Sequence, residues 1–313
     1  MLQYWRQNSG FYDVRQRRSR DELAFVDLAA SILSNQNYPL RGSFMKNTVH
    51  ELFEMKGKTA VITGATAGLG WDMAVSLAEY GCNIVITSRD GKKAVEAAMR
   101  LAEQSGAITM GASLDQRNYA SCEELMKTVV DRFGKIDILI NNAGGGSGAG
   151  ECNFLKRDPE NIQNMIDTNL TGALFACKAA CSYMAEQKSG TIINLGSIAG
   201  IVGRNRDMYH AANKMEQPVE YAAAKAGVIG FTRDLAAFMA PYGVTVNCIS
   251  PGGFDKGELP QAFIDGYSAR TPLGRMGRMQ SDLLGIVVYL ASPAASYVTG
   301  QNFVIDGGFS TSK

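Results

Sequence analysis

The chain has 313 residues, of which 46% are hydrophobic and 19% are charged. This hydrophobic fraction excludes an intrinsically disordered chain, and the length allows one large domain or two small ones. The 31 basic and 30 acidic residues give a formal net charge of +1, which argues against a nucleic-acid-binding surface spread over the whole protein.

The cellular setting can be inferred from hydropathy and cysteine usage. No apolar run approaches the roughly 18 residues of a membrane span, and the N-terminus lacks the apolar stretch of a signal peptide. The six cysteines are scattered without a CxxC pair, and the chain has two histidines, so a His-rich metal site is excluded. We expect a cytoplasmic protein with no metal site and no membrane or nucleic-acid partner.

Residues 1–45 differ in pattern from the rest of the chain. They carry an arginine cluster at Arg15, Arg17, Arg18 and Arg20, and interspersed acidic residues argue against an organelle transit peptide. We expect residues 1–45 to form a flexible N-terminal extension and residues 46–313 to form the folded domain.

Short β-branched runs alternate with helical stretches from residue 58 onward. Strands are predicted at residues 59–63, 83–87, 107–112, 136–140, 190–195 and 244–249. Helices are predicted at residues 68–80, 92–104, 119–133, 159–187 and 219–239. Strands that alternate with helices predict an α/β fold in which a doubly wound parallel sheet has helices on both faces, as in Rossmann-like proteins.

A glycine-rich turn separates the first predicted strand from the first helix. Gly64, Gly68 and Gly70 lack side chains that would hold the backbone away from a pyrophosphate. The N-terminus of the following helix offers free N–H groups and a partial positive charge. Although the spacing differs from GxGxxG, its position predicts a dinucleotide-binding site.

Four motifs together resemble those of the short-chain dehydrogenase/reductase family. They are Gly64-x-x-x-Gly68-x-Gly70, Asn141-Asn142-Ala143-Gly144, Ser197 and Tyr221-x-x-x-Lys225, and the resemblance covers about residues 57–309. The resemblance implies a single Rossmann-like domain and a coenzyme site made of Gly64, Thr66, Gly68, Leu69, Gly70, Ser88, Arg89, Asp115, Asn142, Ala143, Gly144, Tyr221, Lys225, Pro251 and Gly252.

The end of the second strand indicates which coenzyme is preferred. Ser88 stands where NAD-preferring members of the family usually carry an aspartate, and Arg89 could bind the 2′-phosphate of NADP in a charge-assisted pair. The alternative for Arg89 is a solvated loop arginine beside Asp90. We expect NADP, with NAD as the other possibility.

The resemblance implies a catalytic set of Asn169, Ser197, Tyr221 and Lys225. Tyr221 would exchange the proton of the alcohol, Ser197 would hold the substrate oxygen, and Asn169 would help hold a water in a proton relay to Lys225. Lowering the pKa of a tyrosine from about 10 to about 7 requires about 4 kcal/mol. A cation about 4 Å away supplies about that much at an effective dielectric of 20, and Lys225 lies one helical turn from Tyr221.

Two segments depart from the simplest family pattern. Tyr221 follows Ser197 by 24 positions, a long connection, and residues 198–220 contain Arg204, Arg206, His210 and Lys214. We expect this segment to form a lip over the substrate, where its cations could receive an anionic substrate group. The alternative is an ordinary solvated loop. Residues 253–257 lack the threonine that the family often has after Pro251-Gly252, and residues 258–267 are expected to form a helix that covers the substrate.

These features predict an NADP(H)-dependent oxidoreductase that interconverts a secondary alcohol and a ketone. The strand end at residues 87–89, the segment before Tyr221 and residues 272–275 most resemble gluconate 5-dehydrogenase-like members, which implies a sugar acid or polyol substrate. The alternatives are a 3-oxoacyl-carrier-protein reductase, which would need a basic groove for the carrier, and a catalytically silent nucleotide-sensing protein. The family resemblance also implies a homotetramer.

Overall fold

A computed structural model describes residues 48–145 and 150–311. The predicted N-terminal extension lies outside the described residues. The described residues from Val49 to Thr311 form one compact unit.

The main elements alternate strand and helix as the sequence predicts. The strands are β1 (Thr59–Ile62), β2 (Asn83–Ser88), β3 (Thr109–Ser113), β4 (Ile138–Asn141), β5 (Gly190–Leu195), β6 (Val244–Pro251), β7 (Phe254–Asp255), β8 (Gly277–Arg278) and β9 (Asn302–Ile305). The helices are α1 (Val49–Leu52), α2 (Gly68–Glu79), α3 (Gly91–Ser105), α4 (Tyr119–Phe133), α5 (Pro159–Ile166), α6 (Gly172–Gln187), α7 (Asp207–Ala211), α8 (Val219–Met239), α9 (Gln261–Ser268) and α10 (Leu284–Ala291).

Seven strands form one parallel sheet in the order β3-β2-β1-β4-β5-β6-β9. This confirms the predicted doubly wound Rossmann-like sheet. The strand order reverses between β1 and β4, and such a switch point opens a crevice at the carboxyl ends of the strands. The two short strands β7 and β8 pair separately beyond this edge.

Several predicted boundaries differ from the structure, and two of the differences have a local reason. β4 begins at Ile138 rather than at residue 136, because the Ile136 N–H donates to the side-chain oxygen of Gln187, at 3.0 Å, instead of joining the sheet. The helix predicted over residues 159–187 consists of α5 and α6 joined by a π-helical turn, Asp167–Thr171.

The core lies on both faces of the sheet. Alternate residues of β1 point to opposite sides, so that Ile62 packs with Leu77 of α2 and Val287 of α10, whereas Val61 packs with residues of α4, α6 and α8. In residues 48–145 and 150–311 no helix has both the length and the apolar character needed to cross a bilayer.

Candidate active site

A cavity of about 900 Å³ lies at the carboxyl ends of the strands. It brings together most of the predicted site residues: Gly64, Gly68, Leu69, Gly70, Ser88, Arg89, Asp115, Asn142, Ala143, Gly144, Asn169, Ser197, Tyr221, Lys225, Pro251 and Gly252. Thr66 is not among the lining residues, and its carbonyl oxygen accepts a hydrogen bond from Arg100 on α3 at 3.2 Å. Apart from Thr66, the predicted coenzyme and catalytic residues thus line one cavity.

The glycine turn is packed too tightly for side chains. A β-carbon on Gly64 would lie 2.9 Å from Cα of Ala143, and one on Gly70 would lie 2.4 Å from the Asn142 side-chain nitrogen. Helix α2 begins at Gly68, and no side chain caps its first N–H groups. A close backbone turn next to an uncapped helix N-terminus fits the pyrophosphate of a dinucleotide.

Thr63, which the sequence analysis did not select, joins the ends of β1 and β4. Its hydroxyl oxygen accepts hydrogen bonds from the N–H groups of Asn142, at 3.0 Å, and Ala143, at 2.9 Å. The Asn142 amide in return donates to the carbonyl oxygens of Thr63 and Gly64, both at 2.9 Å. These bonds fix the two sides of the crevice relative to one another.

The end of β2 presents Arg89 to the cavity. The neighbouring acidic residue, Asp90, caps α3, since its side chain accepts from the N–H groups of Lys92 and Lys93 at 3.0 and 3.3 Å. Its carboxylate is therefore engaged at the helix N-terminus. Arg89 is exposed and lines the cavity beside Ser88, as a contact to a 2′-phosphate would require.

Asp115 follows β3 on the adenosine side of the cavity. Its carboxylate pairs with Arg117 at 2.7 Å, and the hydrogen bond from this guanidinium holds the pKa of Asp115 below its ordinary value. Both side chains are more than a third exposed, so that the pair contributes little to stability. The carboxylate stays charged at neutral pH.

Tyr221 and Lys225 are buried one turn apart on α8. The Lys225 ammonium donates to the carbonyl oxygen of Leu195 at 2.7 Å and lies 5.8 Å from the centre of the Tyr221 ring. Burial lowers the pKa of Lys225 to about 8.

The pKa of Tyr221 is raised, because burial outweighs the hydrogen bond with Ser197 and the charge of Arg204, which both lower it. This direction is opposite to the one that the sequence argument gave for the chain. The sequence argument counted only the attraction between the phenolate and the Lys225 cation. It omitted the loss of water around the buried phenol, which disfavours the phenolate. A further positive charge beside the phenol would favour the phenolate.

Ser197 and Asn169 are held by backbone contacts. The Ser197 hydroxyl oxygen accepts from the Ala199 N–H at 3.1 Å, and so caps a 3-10 turn in addition to bonding Tyr221. Asn169 lies in the π-helical turn, a type of turn found often at functional sites. Its side-chain oxygen accepts from the Gly145 N–H at 2.9 Å, and a β-carbon on Gly144 would lie 2.5 Å from that oxygen.

The substrate end of the cavity contains side chains that the sequence analysis missed: Arg157, Asn161, Asn164, Met165 and Gln217. For Asn161 and Asn164 the sequence did offer a signal, because two asparagines three residues apart near the start of a helix lie on the same helix face. Arg157 forms a buried ion pair with Glu220, 2.8 Å between Nε and Oε1. No group of three or more His, Cys, Asp or Glu side chains in the described parts of the chain is placed to hold a metal ion.

The basic side chains of the predicted lip contact other groups of the protein. Arg206 and His210 both pair with Glu216, and the Lys214 ammonium lies 5.5 Å from the centre of the Phe263 ring. Arg204 donates to the carbonyl oxygens of Gln217 and Pro218 at 2.9 and 3.2 Å.

The lip packs against α9, which forms most of the helix predicted over residues 258–267. Met208 of α7 shares a buried cluster with Phe263 and Tyr267 of α9. The two segments therefore form one wall.

Comparison with known proteins gives matches that cover most of the chain. A family model described as enoyl-(acyl carrier protein) reductase matches residues 64–310. The 3-oxoacyl-(acyl-carrier-protein) reductase of Vibrio harveyi is 37% identical over 81% of this chain and 98% of its own length. That of Synechocystis is 34% identical over 81% of this chain and 97% of its own length.

Two solved structures are similar across nearly their whole length. A gluconate 5-dehydrogenase from Burkholderia cenocepacia, in complex with NADP and tartrate, has a TM-score of 0.75 and 31% identity, covering 84% of this chain and 99% of its own. An NADPH-dependent 3-quinuclidinone reductase from Rhodotorula rubra has a TM-score of 0.75 and 30% identity, covering 88% and 99%.

Proposed function

We propose that this chain, which belongs to the short-chain dehydrogenase/reductase family, reduces 3-oxoacyl thioesters on an acyl carrier protein with NADPH. Members of this family are oxidoreductases that act on CH–OH and keto groups. The observation that carries this proposal is the match to 3-oxoacyl-(acyl-carrier-protein) reductases, which spans 97% or more of those relatives. It favours the alternative that the sequence analysis named over the sugar-acid substrate.

The preference for NADPH over NADH is supported by the end of β2. Arg89 lines the cavity beside Ser88, and the neighbouring carboxylate of Asp90 is engaged with helix α3. The Arg89 guanidinium suits a 2′-phosphate. The preceding position is Ser88 rather than an aspartate, so the carboxylate that would accept a hydrogen bond from the free ribose hydroxyl of NAD is missing.

We assign catalytic roles to four side chains that line the cavity, and their positions support these roles. The reduced nicotinamide supplies the hydride. Tyr221 donates its phenolic proton to the carbonyl oxygen as the carbon–oxygen π bond breaks, so that the alcohol leaves neutral. Ser197 donates a hydrogen bond to the same oxygen and orients the carbonyl.

Lys225 returns a proton to Tyr221 and is then reprotonated by water, so that the one proton consumed in each reduction comes from solvent. Its pKa of about 8 keeps the ammonium mostly protonated at neutral pH, yet low enough to release a proton. Asn169 stabilises the turn beside this path through its bond to Gly145. Because Tyr221 and Lys225 are both present, the catalytically silent nucleotide sensor is the weakest of the alternatives.

A second candidate substrate is a sugar acid or polyol. The amide side chains of Asn161, Asn164 and Gln217 line the same cavity as Tyr221 and could bond several hydroxyl groups. A structural relative is a gluconate 5-dehydrogenase.

Absorbance at 340 nm distinguishes these substrates. We expect the oxidation of NADPH with an acetoacetyl group on purified acyl carrier protein to exceed that with 5-ketogluconate by at least about 10-fold in kcat/KM. The reverse ranking would support the sugar-acid substrate. Tight NADPH binding without turnover of either would support the sensor. Tyr221→Phe serves as the control that removes the proton donor.

A further inference from the structure

Lys256 places an ammonium group at the glycine turn. Its Nζ lies 3.6 Å from the position that a β-carbon would take on Gly68, the first residue of α2. Lys256 also lines the main cavity. It belongs to the segment after β6, which lacks the threonine expected from the family resemblance.

The backbone on both sides of Lys256 has defined partners. Phe254 and Asp255 form β7, which pairs with Gly277 and Arg278 of β8. The Gly257 N–H donates to the carboxylate of Asp255, the residue before Lys256, at 2.8 Å. The lysine therefore projects from a short, bonded turn.

No protein carboxylate forms an ion pair with Lys256 in residues 48–145 and 150–311. Of the other cations that line the cavity, Arg117 pairs with Asp115 at 2.7 Å and Arg157 pairs with Glu220 at 2.8 Å, whereas Arg89 and Lys225 also form no ion pair among the described residues. Lys256 thus places a cation in the cavity wall next to an uncapped helix N-terminus, and no protein carboxylate among the described residues balances its charge.

We propose that Lys256 binds the two bridging phosphates of the coenzyme. The inference rests on the dinucleotide site of the proposed function. The helix N-terminus offers about half an elementary charge, whereas the bridging phosphates carry about two negative charges. An ammonium at this position supplies a full positive charge. NAD and NADP share these phosphates, so Lys256 strengthens the binding of both, in contrast to Arg89.

The same contact connects the coenzyme to the wall of the substrate end. Three residues before Lys256, the Gly253 N–H donates to the Tyr267 hydroxyl oxygen at 2.5 Å. Tyr267 in turn packs in the cluster that contains Met208 of the lip. Binding of the phosphates by Lys256 therefore restrains residues 253–260, which lead into that wall.

The test is a fluorescence titration of NADPH and of NADH without any ketone, using the full chain. Lys256→Met should raise the Kd for both coenzymes by about 10-fold or more, because a hydrogen bond to a charged group is lost. Lys256→Arg should stay within about 3-fold of the wild type. The difference between Lys256→Met and the wild type should shrink as KCl is raised.

Hydrogen exchange gives a second measurement. NADPH at saturating concentration for each protein should protect residues 253–260 in the wild type and less in Lys256→Met. An unchanged Kd for Lys256→Met would overturn the inference, and so would a loss confined to NADPH, which would assign the contact to the 2′-phosphate. If the wild type bound neither coenzyme, the proposed function itself would fail. Recovery of affinity in Lys256→Arg excludes a folding defect as the cause.

Discussion

The guanidinium carbon of Arg204 lies 5.5 Å from the centre of the Tyr221 ring. Two backbone carbonyl groups, of Gln217 and Pro218, hold this guanidinium in place, and its Nη2 atom is buried without a hydrogen-bond partner among the described residues. The long segment between Ser197 and Tyr221 thus places the cation of Arg204 close to the Tyr221 phenol. Its charge lowers the pKa of Tyr221 against the larger, opposite effect of burial.

We expect Arg204→Met to raise the pKa of Tyr221 further. Besides burial, the groups that shift the pKa of the phenol are Ser197, Arg204 and Tyr209, and the variant removes the one cation among them. The Lys225 ammonium, 5.8 Å from the ring centre, is unchanged in the variant. In alcohol oxidation, where the phenolate accepts the proton, the pH at half-maximal kcat should move to a higher value.

The pH profile separates this charge effect from a structural one. Arg204→Lys keeps a cation at the same position and should keep most of the wild-type profile. If kcat of Arg204→Met fell equally at every pH, with the profile in place, the guanidinium would support the lip without acting on Tyr221.

Lys225 should make stability depend on pH. Its pKa is about 8 in the folded chain against the ordinary 10.5, so between these values the unfolded chain holds more protons. Raising the pH from 8 to 10.5 therefore favours the folded state. The free energy of unfolding of the wild type should rise relative to Lys225→Met by up to about 3 kcal/mol over this interval.

Urea unfolding of both proteins at pH 7, 8, 9 and 10 measures this difference. Below pH 8 the difference should be constant, because Lys225 is protonated in both states. Parallel curves for the two proteins up to pH 10 would mean that burial does not depress the pKa of Lys225.

Arg89→Ala should change the selectivity between coenzymes. Because Arg89 lines the cavity at the end of β2, where a 2′-phosphate would lie, the Kd for NADPH should rise by about 10- to 100-fold. The Kd for NADH should change by less than about 3-fold, since this coenzyme lacks the phosphate. Fluorescence titration measures both, and an equal loss for the two coenzymes would argue against NADP selectivity through Arg89.

The sequence was sufficient to predict the sheet. Most of the predicted site residues line one cavity, and their roles stay predictions. The β-branched runs are short and bounded by glycine, and right-handed crossovers leave few ways to arrange them, so that the six predicted strands all appear. The homotetramer and the cytoplasmic location stay predictions.

Long-range contacts could not be read from the sequence. Lys256 and Gly68 are far apart in the chain, and no local pattern shows that the lysine reaches the glycine turn. Likewise, the basic residues of the lip suggested an anion site, but Glu216 pairs with two of them. Burial was the other missing quantity, since it determines the direction of the pKa of Tyr221.

The buried pair of Arg157 and Glu220 should be sensitive to the loss of one partner. Their side chains are 1% and 5% exposed, the bond from Nε to Oε1 is 2.8 Å, and the second carboxylate oxygen, Oε2, has no hydrogen-bond partner among the described residues. Glu220→Met leaves the guanidinium charge buried without its counterion. The free energy of unfolding should fall by about 3 kcal/mol or more.

The double variant tests whether the pair as a whole is needed. Arg157→Met combined with Glu220→Met removes both charges and keeps the side chains of similar length, so most of the lost stability should return. A double-mutant cycle by urea unfolding at pH 7 gives the coupling energy. Because Glu220 precedes Tyr221 on α8 and Arg157 also donates to the Glu151 carbonyl oxygen at 2.7 Å, we expect a remaining loss of kcat in the double variant. Additive losses from the two single variants would show that the ion pair contributes no coupling, and that each side chain stabilises the wall of the cavity independently.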